Sequence, residues 1–523
     1  MTETTLSKLQ NKVDKQSEQI IKYKDAIAKL NEEKDNLKNS LKYYKDNIEK
    51  IVQKAVEKAV KEIALENAKL KEENERLKRI LNQDSNNTGI PTTKTPIGKE
   101  KRIPNSREKT NLKKGGQLGH KKHKLEKFKD DEITDTIIHE VMNCSCGCNK
   151  LEDLGIRTTK DLFDVDIRLI KARNEFHNYK CMKCGKIIES PVPLNLKEEN
   201  QYGSNISALA ISLVNEGCVS FKRTRELISG FTGGEINMSE GYISKLQKKC
   251  YNKLEEFDNA LHKHLLKEKV LNWDDTAITI NGKQACLRVY ATELLAYYKA
   301  HEKKNKQGLD EDGILKYLDK QTVVVHDHNK VNYNDDYVFI NAECCVHLIR
   351  DLKKLKESVK REWIDKLTKL LIDTNNKRKE YINDSIMYFD QEVTDKVSLE
   401  YDNIIKEAKE INKKDFNKYY GNEEQNLIKR IEKYKENYLL WILRFDVPFT
   451  NNLSERSLRS SKTKMKVSGQ FANIESAKYY ARIKSYIESC KRNGLNEHIA
   501  IVKLLNDEPY TVDEILLKKE KND

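Results

Sequence analysis

Two aspartates occupy positions where strand-forming sequence would place them within, or at the end of, a sheet. Asp274, followed by Asp275, interrupts the β-branched run 270–280, and Asp327 follows the apolar run 322–326. Carboxylates near a sheet core are costly unless their charge is compensated. A divalent cation would compensate them, because neighbouring carboxylates otherwise repel and their pKa values rise. The alternative is that each aspartate only ends a strand and faces water.

Five of the eleven cysteines form two clusters that could hold a metal ion. The second cluster is a C-x-x-C turn, which points two thiolates at one Zn²⁺. We predict one four-cysteine zinc site with two short strands between the clusters, at 164–170 and 174–180. A redox pair is less consistent with the sequence, because nothing nearby resembles a thioredoxin-like βαβ unit. The zinc ligands would be four of the five residues Cys144, Cys146, Cys148, Cys181 and Cys184.

The elements that must position the aspartates follow the order β-β-β-α-β. Hydrophobic patterning predicts strands at 270–280, 285–292, 296–300 and 322–326, with a helix near 312–318 before the last strand. One aspartate lies on the first strand and another at the end of the fourth. That arrangement is typical of an RNase H-like fold.

The N-terminal segment 5–81 predicts a long helix with apolar residues at heptad spacing and a phase slip after Ala55. Asn67 and Asn74 fall at successive a positions, which favours a parallel dimer in fixed register. The alternative is a single solvated helix that packs on its own chain.

The next segment is strongly basic. Residues 94–129 contain 13 Lys and Arg against 3 Glu, so they supply most of the chain's net charge of +14. Such a segment should be flexible when free and should bind polyanions, most simply DNA phosphates; the alternative is a solubilising linker. The Gly-Gly-Gln-Leu-Gly-His turn at 115–120 suggests close contact with a partner. The candidate DNA contacts here are Lys113, Lys114, Gln117 and His120.

Three helices are predicted between residues 204 and 257, with breaks at Gly217 and at Gly233-Gly234. Ser220 and Ser239 are suitable N-caps for the second and third helices. Short helices joined by tight turns indicate a helix-turn-helix, although many small helical domains bind no DNA.

Composition excludes two classes of protein. No apolar run approaches the roughly 18 residues that a membrane span needs, and eleven cysteines are too few for a disulfide scaffold of this length. The N-terminus resembles no secretory signal. We therefore expect a cytoplasmic, nucleoid-associated protein without membrane contact.

Segments in the second half of the chain resemble insertion-sequence-66 family transposases. Residues 448–469, with Asn451-Asn452-Leu-Ser-Glu455-Arg456, and residues 481–496 resemble the family's C-terminal signature. Asp274-Asp275-Thr276 stands where the family usually has Asp-Glu-Thr. The segment 344–350 is similar to its Cys-x-x-His-x-x-Arg. The glycine turn, zinc knuckle and coiled coil follow the family's order.

The resemblance implies a DDE transposase that uses three carboxylates with Mg²⁺ or Mn²⁺. The matching carboxylates are Asp274, Asp327 and Glu455. We interpret Cys344 and His347 as a packed turn beside the core, because one such pair gives only two metal ligands. Cations after the glutamate suit a DNA backbone: Arg456, Arg459, Lys462, Lys464 and Lys466.

The predicted architecture is multidomain and mostly α-helical around an α/β, RNase H-like (retroviral-integrase-like) catalytic core. The segments are a dimerising coiled coil (1–85), a flexible basic linker (86–132), a zinc-binding domain (133–197), a helix-turn-helix-like DNA-binding domain (198–265), the first part of the core (266–350), a helical insertion (351–444), the C-terminal helices of the core (445–507) and a tail (508–523).

The predicted function is that of a transposase that binds element ends and catalyses metal-dependent DNA cleavage and strand transfer. Its partners would be the element's terminal repeats, target DNA, a second copy of the chain and helper proteins encoded by the same element. The alternative is a DNA-binding regulator or accessory protein with an inactive transposase-derived core.

Overall fold

The computed structural model describes residues 3–82, 126–165, 167–193, 196 and 198–517. The chain divides into two units, 1–106 and 107–523. In the described part of the chain, no helix combines the length and apolarity that a membrane crossing requires.

The first unit contains two long helices, α1 (Glu3–Asp46) and α2 (Ile48–Asn82). The predicted long helix is therefore present, with an interruption at Asn47 that the sequence did not predict. The apolar side chains of the heptad rows are exposed; Leu9, Leu30, Leu37 and Leu70 are each more than half accessible. Among the described residues of one chain these rows have no buried apolar partner, and self-association remains a prediction.

The second unit opens with the cysteine-rich segment. Its strands β1 (Asn178–Lys180) and β2 (Ile187–Glu189) form an antiparallel hairpin around the Cys181–Cys184 turn. The predicted strand at 164–170 is wrong for the residues described there, and the one at 174–180 is reduced to β1. Val165 and Ile170 are about 80% exposed. Because no strand in the described part of the chain pairs with this segment, strand propensity alone does not make it a strand.

Four helices follow: α3 (Ser204–Asn215), α4 (Phe221–Phe231), α5 (Glu240–Lys253) and α6 (Glu255–Leu265). The Ser220 and Ser239 side chains accept N–H bonds from Arg223 and Tyr242, as N-caps do. The predicted third helix is divided at Leu254. These helices share one hydrophobic core with residues 483–515 near the other end of the chain.

A mixed five-stranded sheet forms the centre of the second unit. Its strands are β3 (Val270–Ile280), β4 (Lys283–Ala291), β5 (Ala296–His301), β6 (Val323–His326) and β7 (Ile340–Glu343), in the spatial order β5-β4-β3-β6-β7. The first three strands are antiparallel, whereas β6 is parallel to both β3 and β7.

The helix before β6 lies earlier than predicted. Helix α7 (Lys306–Asp312) begins after Asn305, whose side chain accepts the Gly308 N–H. It ends at Gly313, whose φ of 71° is a left-handed conformation that glycine adopts without strain. Only a 3₁₀ turn, Leu315–Tyr317, occupies the rest of the predicted helix.

The predicted insertion is helical, and its first helix begins directly after β7. It consists of α8 (Cys345–Val359), α9 (Glu362–Asn383), α10 (Gln391–Lys414), α11 (Gly421–Lys433) and α12 (Lys435–Leu443). Its core includes Val323 and Val325, whereas Val324 belongs to the core on the opposite sheet face. This alternation is expected of a strand buried on both faces.

Four further helices follow in the described residues up to 517: α13 (Asn452–Ser468), α14 (Ile474–Arg492), α15 (Glu497–Leu505) and α16 (Val512–Leu517). Leu458 of α13 and Tyr480 of α14 pack with Ile278, Leu287 and Val289 of the sheet. Helix α13 therefore lies over the strand that carries Asp274.

Candidate active site

Asp274 points to the sheet face that α13 covers, because side chains alternate along β3. Trp273 belongs to the core on one face and Ile278 to the core on the other, so Asp274 and Ile278 share a face. The neighbouring Asp275 is directed elsewhere, and its Oδ1 lies 2.6 Å from the Lys304 Nζ. The Asp275 N–H donates to the Asp274 Oδ1 at 2.7 Å.

The strand register brings Asp327 beside Asp274. Asn272 of β3 pairs with Val325 of the parallel strand β6. Each aspartate lies two residues beyond this pair, so the two would face each other if the ladder continued. Burial and the charges of Asp327 and Asp275 raise the pKa of Asp274 to about 7, while a hydrogen bond from the Asp275 backbone and the charge of Lys462 act in the opposite direction. The two aspartates are thus electrostatically coupled.

Glu455 reaches the same region from the first turn of α13, where a carboxylate also interacts favourably with the helix dipole. The start of this helix is fixed by Asn451, which is fully buried. Its Nδ2 donates to the Trp273 carbonyl, and its Oδ1 accepts from the Asn272 amide, both at 2.9 Å. The Ser454 hydroxyl also donates to that Oδ1 at 2.7 Å. Asn451 therefore holds the glutamate's helix against the strand that bears Asp274.

Four side chains converge beside this carboxylate site. Their potential ligand atoms all lie within 4.8 Å of one another. The His347 Nδ1 is 2.9 Å from the Asp327 Oδ1 and 3.6 Å from the Glu455 Oε1. All three of these atoms are buried and have no well-directed hydrogen-bond partner. The group consists of Asp327, Cys344, His347 and Glu455; Asp274 is not a member of it.

Cys344 and His347 were missed as site residues by reasoning from sequence. They are not in a turn: Cys344 is the residue before α8, and His347 lies in the first turn of that helix. Counting the potential ligands of one segment alone overlooked Asp327 and Glu455, which the fold brings beside them. The available signal was the Cys-x-x-His spacing directly after a strand, since such a helix start lies at a sheet edge.

The charge of the cluster depends on His347. Burial alone would lower the pKa of this imidazole, but contacts with Asp327 and Cys344 outweigh that effect and raise the pKa to about 10. Arg350 adds positive charge, because its Nη1 lies 3.8 Å from the Glu455 Oε1 and 3.1 Å from the His347 Nε2. Without a bound cation, these groups partly neutralise the carboxylates.

Comparison with known families agrees with this arrangement. The model of the IS66 family of transposases matches residues 199–479, which is more than half of the chain and includes Asp274, Asp327 and Glu455. The chain belongs to the IS66 transposase family. No curated protein matches it.

The cations that follow Glu455 in this IS66 family protein do not all face solvent. Arg456, Arg459, Lys462 and Lys466 are exposed on α13, but Lys464 is only 5% exposed. The Lys464 Nζ donates to the Val214 carbonyl at 3.1 Å and lies 5.2 Å from the centre of the Tyr480 ring. Burial lowers its pKa to about 8.

This burial argues against the predicted contact of Lys464 with DNA. Lys464 continues the buried stripe of α13 that includes Ser454, Leu458 and Ser461, and residues three or four apart share a helix face. The same periodicity was available from the sequence. Lys113, Lys114, Gln117 and His120 lie outside the described residues.

Both cysteine clusters of the IS66 family protein form tight turns. The Cys144 N–H donates to the Cys148 carbonyl, and the Gly185 N–H to the Cys181 carbonyl. Hydrogen bonds from Cys146 and from Cys184 lower the pKa of the Cys144 and Cys181 thiols. In the described residues the two clusters do not meet at one point. The single four-cysteine zinc site stays a prediction.

Proposed function

We propose that this protein is a DDE transposase that binds the ends of its element and catalyses metal-dependent DNA cleavage and strand transfer. The catalytic carboxylates would be Asp274, Asp327 and Glu455. One observation carries the proposal. Asp327, whose charge raises the pKa of Asp274, lies beside Glu455, which comes from a helix distant in the sequence.

The topology supports an RNase H-like core. Strands β3, β4 and β5, helix α7 and strand β6 follow one another in the predicted β-β-β-α-β order. Because β6 returns beside β3, the ends of the first and fourth strands are neighbours. This arrangement brings carboxylates from two separate segments to one place without requiring an unusual backbone conformation.

The residues present fit a divalent cation. The Asp327 Oδ1 and Glu455 Oε1 are buried without hydrogen-bond partners, and the pKa of Asp274 is raised by burial and by the neighbouring negative charge. Carboxylate oxygens are the hard ligands that Mg²⁺ and Mn²⁺ prefer. We infer that Asp274, Asp327 and Glu455 would hold the cofactor.

When bound, such cations activate a water or 3′-hydroxyl oxygen and stabilise charge on the departing oxygen. The protein's own groups would position the substrate around them. Arg456, Arg459 and Lys462 are exposed on α13, the helix that carries Glu455, and would bind the DNA backbone through its phosphates. Asn451 would hold that helix, and therefore Glu455, in register with Asp274.

The remaining segments suit a protein that brings DNA ends together. We propose that the exposed heptad rows of α1 and α2 form a parallel homodimer, that residues 86–132 bind DNA phosphates and that the cysteine turns bind Zn²⁺. Helices α4 and α5, with tight turns and capped N-termini, are the candidates for helix-turn-helix contact with terminal repeats.

The decisive experiment is cleavage of labelled element ends by purified protein with Mg²⁺ or with EDTA. We expect Asp274→Asn and Glu455→Gln to reduce cleavage by at least about 100-fold, because losing a metal ligand should cost more than losing one of its supporting hydrogen bonds. DNA affinity should hold or rise slightly, since negative charge near the phosphates is removed.

Asp275→Asn is the matched control, because this neighbouring carboxylate pairs with Lys304 rather than with the cluster. It should keep most of the cleavage activity. If the Asp274 and Glu455 variants cut as well as wild type, these residues are not the active site. Specific binding of the ends without cleavage by the wild type would instead favour a regulator with an inactive core.

A further inference from the structure

We propose that Asp327, Cys344, His347 and Glu455 form a four-ligand site for a Zn²⁺-class transition-metal ion. It shares Asp327 and Glu455 with the proposed catalytic site, so zinc there would compete with the catalytic Mg²⁺. The inference concerns ion binding and does not depend on cleavage.

The donor set distinguishes this site from a magnesium site. One sulfur, one imidazole nitrogen and two carboxylate oxygens converge within 4.8 Å. Mg²⁺ prefers oxygen ligands, whereas thiolate and imidazole ligands favour zinc-class ions. Tetrahedral Zn²⁺ with bonds of about 2.0–2.3 Å needs ligand atoms roughly 3.3–3.8 Å apart. Side-chain shifts of about 1 Å would complete that geometry.

The atoms that would bind the ion mainly contact one another, as in the 2.9 Å approach of the His347 Nδ1 to the Asp327 Oδ1. The Asp327 Oδ1, His347 Nδ1 and Glu455 Oε1 are buried, and none of them makes a well-directed hydrogen bond. Unpaired buried polar atoms are costly, and an ion would satisfy all three at once.

The fourth ligand is supported in a different way. Cys344 is 1% exposed, and its Sγ accepts the backbone N–H of Asn451 at 3.2 Å. A hydrogen bond of this kind stabilises negative charge on a sulfur and orients it, as supporting contacts do around metal ligands.

One present contact would have to change. The Arg350 Nη1 lies 3.1 Å from the His347 Nε2. With Nδ1 bound to the ion, Nε2 would carry the ring proton, so the Arg350 guanidinium, which has only N–H donors, could not stay at hydrogen-bond distance from it. The Arg350 side chain is 49% exposed, so it can turn towards solvent.

The test is a zinc count per chain on full-length protein after equilibration with Zn²⁺ and removal of free metal. The same variants are titrated with Co²⁺, whose thiolate charge-transfer absorption reports a metal–sulfur bond. We expect Cys344→Ser to hold one zinc fewer than wild type and to lose part of that absorption. His347→Gln should also hold one zinc fewer while keeping the cysteine.

The adjacent residue Cys345 provides the matched control. It is fully buried, but its thiol donates a hydrogen bond to the Tyr438 carbonyl in the core of the helical insertion. Cys345→Ser and Asp274→Asn should keep the wild-type zinc count. The cysteines at 144–184 are the same in every variant, so their zinc cancels in the comparison.

Equal zinc counts and Co²⁺ spectra in wild type, Cys344→Ser and His347→Gln would overturn the proposal. The proposal would also be overturned if Cys345→Ser lost as much zinc as Cys344→Ser, since that loss would reflect damage to the fold. Absence of cleavage alongside the expected zinc counts would count against the transposase activity and leave this site intact.

Discussion

Asn451 shows how one buried amide can determine the geometry of a site to which it contributes no ligand. Its side chain joins β3 to the first turn of α13, and its backbone N–H reaches Cys344. Four segments carry the proposed ligands, and Asn451 therefore contacts three of them. The exception is the segment with Asp327. We regard it as a positioning residue.

Asn451→Ala should destabilise the protein by about 2–4 kcal/mol, because it leaves several buried polar groups unpaired. Cleavage should fall through kcat while DNA affinity is retained. Asn452→Ala changes an exposed neighbour and should stay within about 0.5 kcal/mol of wild type. Denaturant unfolding and cleavage kinetics measure both effects. A kcat like that of wild type in Asn451→Ala would contradict the positioning role.

The raised pKa of Asp274 makes stability depend on pH when no cation is bound. Because the folded-state pKa of about 7 exceeds the usual 3.8, the folded protein holds this proton more tightly than the unfolded chain does. Stability should therefore fall as the pH rises from about 4 to 7.

In EDTA, the thermal midpoint of wild type should fall more steeply between pH 5 and 7 than that of Asp274→Asn. Saturating Mg²⁺ should remove most of that difference, because the cation compensates the carboxylate. Calorimetry or circular dichroism at several pH values measures the slopes. Parallel slopes in EDTA would mean that Asp274 titrates normally.

At the scale of elements, α13 combines a buried stripe with an exposed cationic face. Arg456, Arg459 and Lys462 are exposed, whereas Lys464 is part of the contact with α3 and α14. Only the cations on the exposed face of α13 are accessible to phosphates, so the number of basic residues in the segment overstates the possible contacts.

Replacing Arg456, Arg459 and Lys462 with Ala should weaken DNA binding and make the slope of log K against log salt shallower by about 2–3, if each contacts a phosphate. Lys464→Met should leave that slope unchanged. Binding measured at several salt concentrations compares the two variants. A comparable change in Lys464→Met would show that the buried lysine reaches DNA.

Local patterns predicted most of these elements, because each depends on residues close in sequence. The serine caps of α4 and α5 and the apolar runs of β3 and β6 are examples. The helix before β6 was predicted too late in the sequence, because α7 ends at Gly313. The Cys-x-x-His spacing marked Cys344 and His347 as potential ligands, but the site proposed for them also needs Asp327 and Glu455, which only tertiary folding brings near them.

At the scale of the whole molecule, α1 and α2 leave their apolar rows exposed while the second unit has extensive cores of its own. An exposed heptad row of this length is costly in water and is most simply covered by a second copy of the same helix.

The protein should therefore be a dimer at micromolar concentration. Leu30→Asp with Leu37→Asp should shift it towards monomer, because both residues lie in the same heptad row. Lys29→Asp with Asn36→Asp introduces two aspartates one position away, outside that row, and should leave the dimer intact. Light scattering after gel filtration measures the mass. A monomeric wild type would refute this interpretation.

The long helical segment between β7 and α13 also determines when the site can exist during synthesis. Glu455 follows Asp327 by 128 residues. At about 5–20 residues per second, the ribosome needs roughly 6–26 s to add them. During that interval the nascent chain contains Asp274 and Asp327 but does not yet contain Glu455. Any cleavage that needs all three carboxylates would therefore be delayed until α13 has emerged and docked on β3.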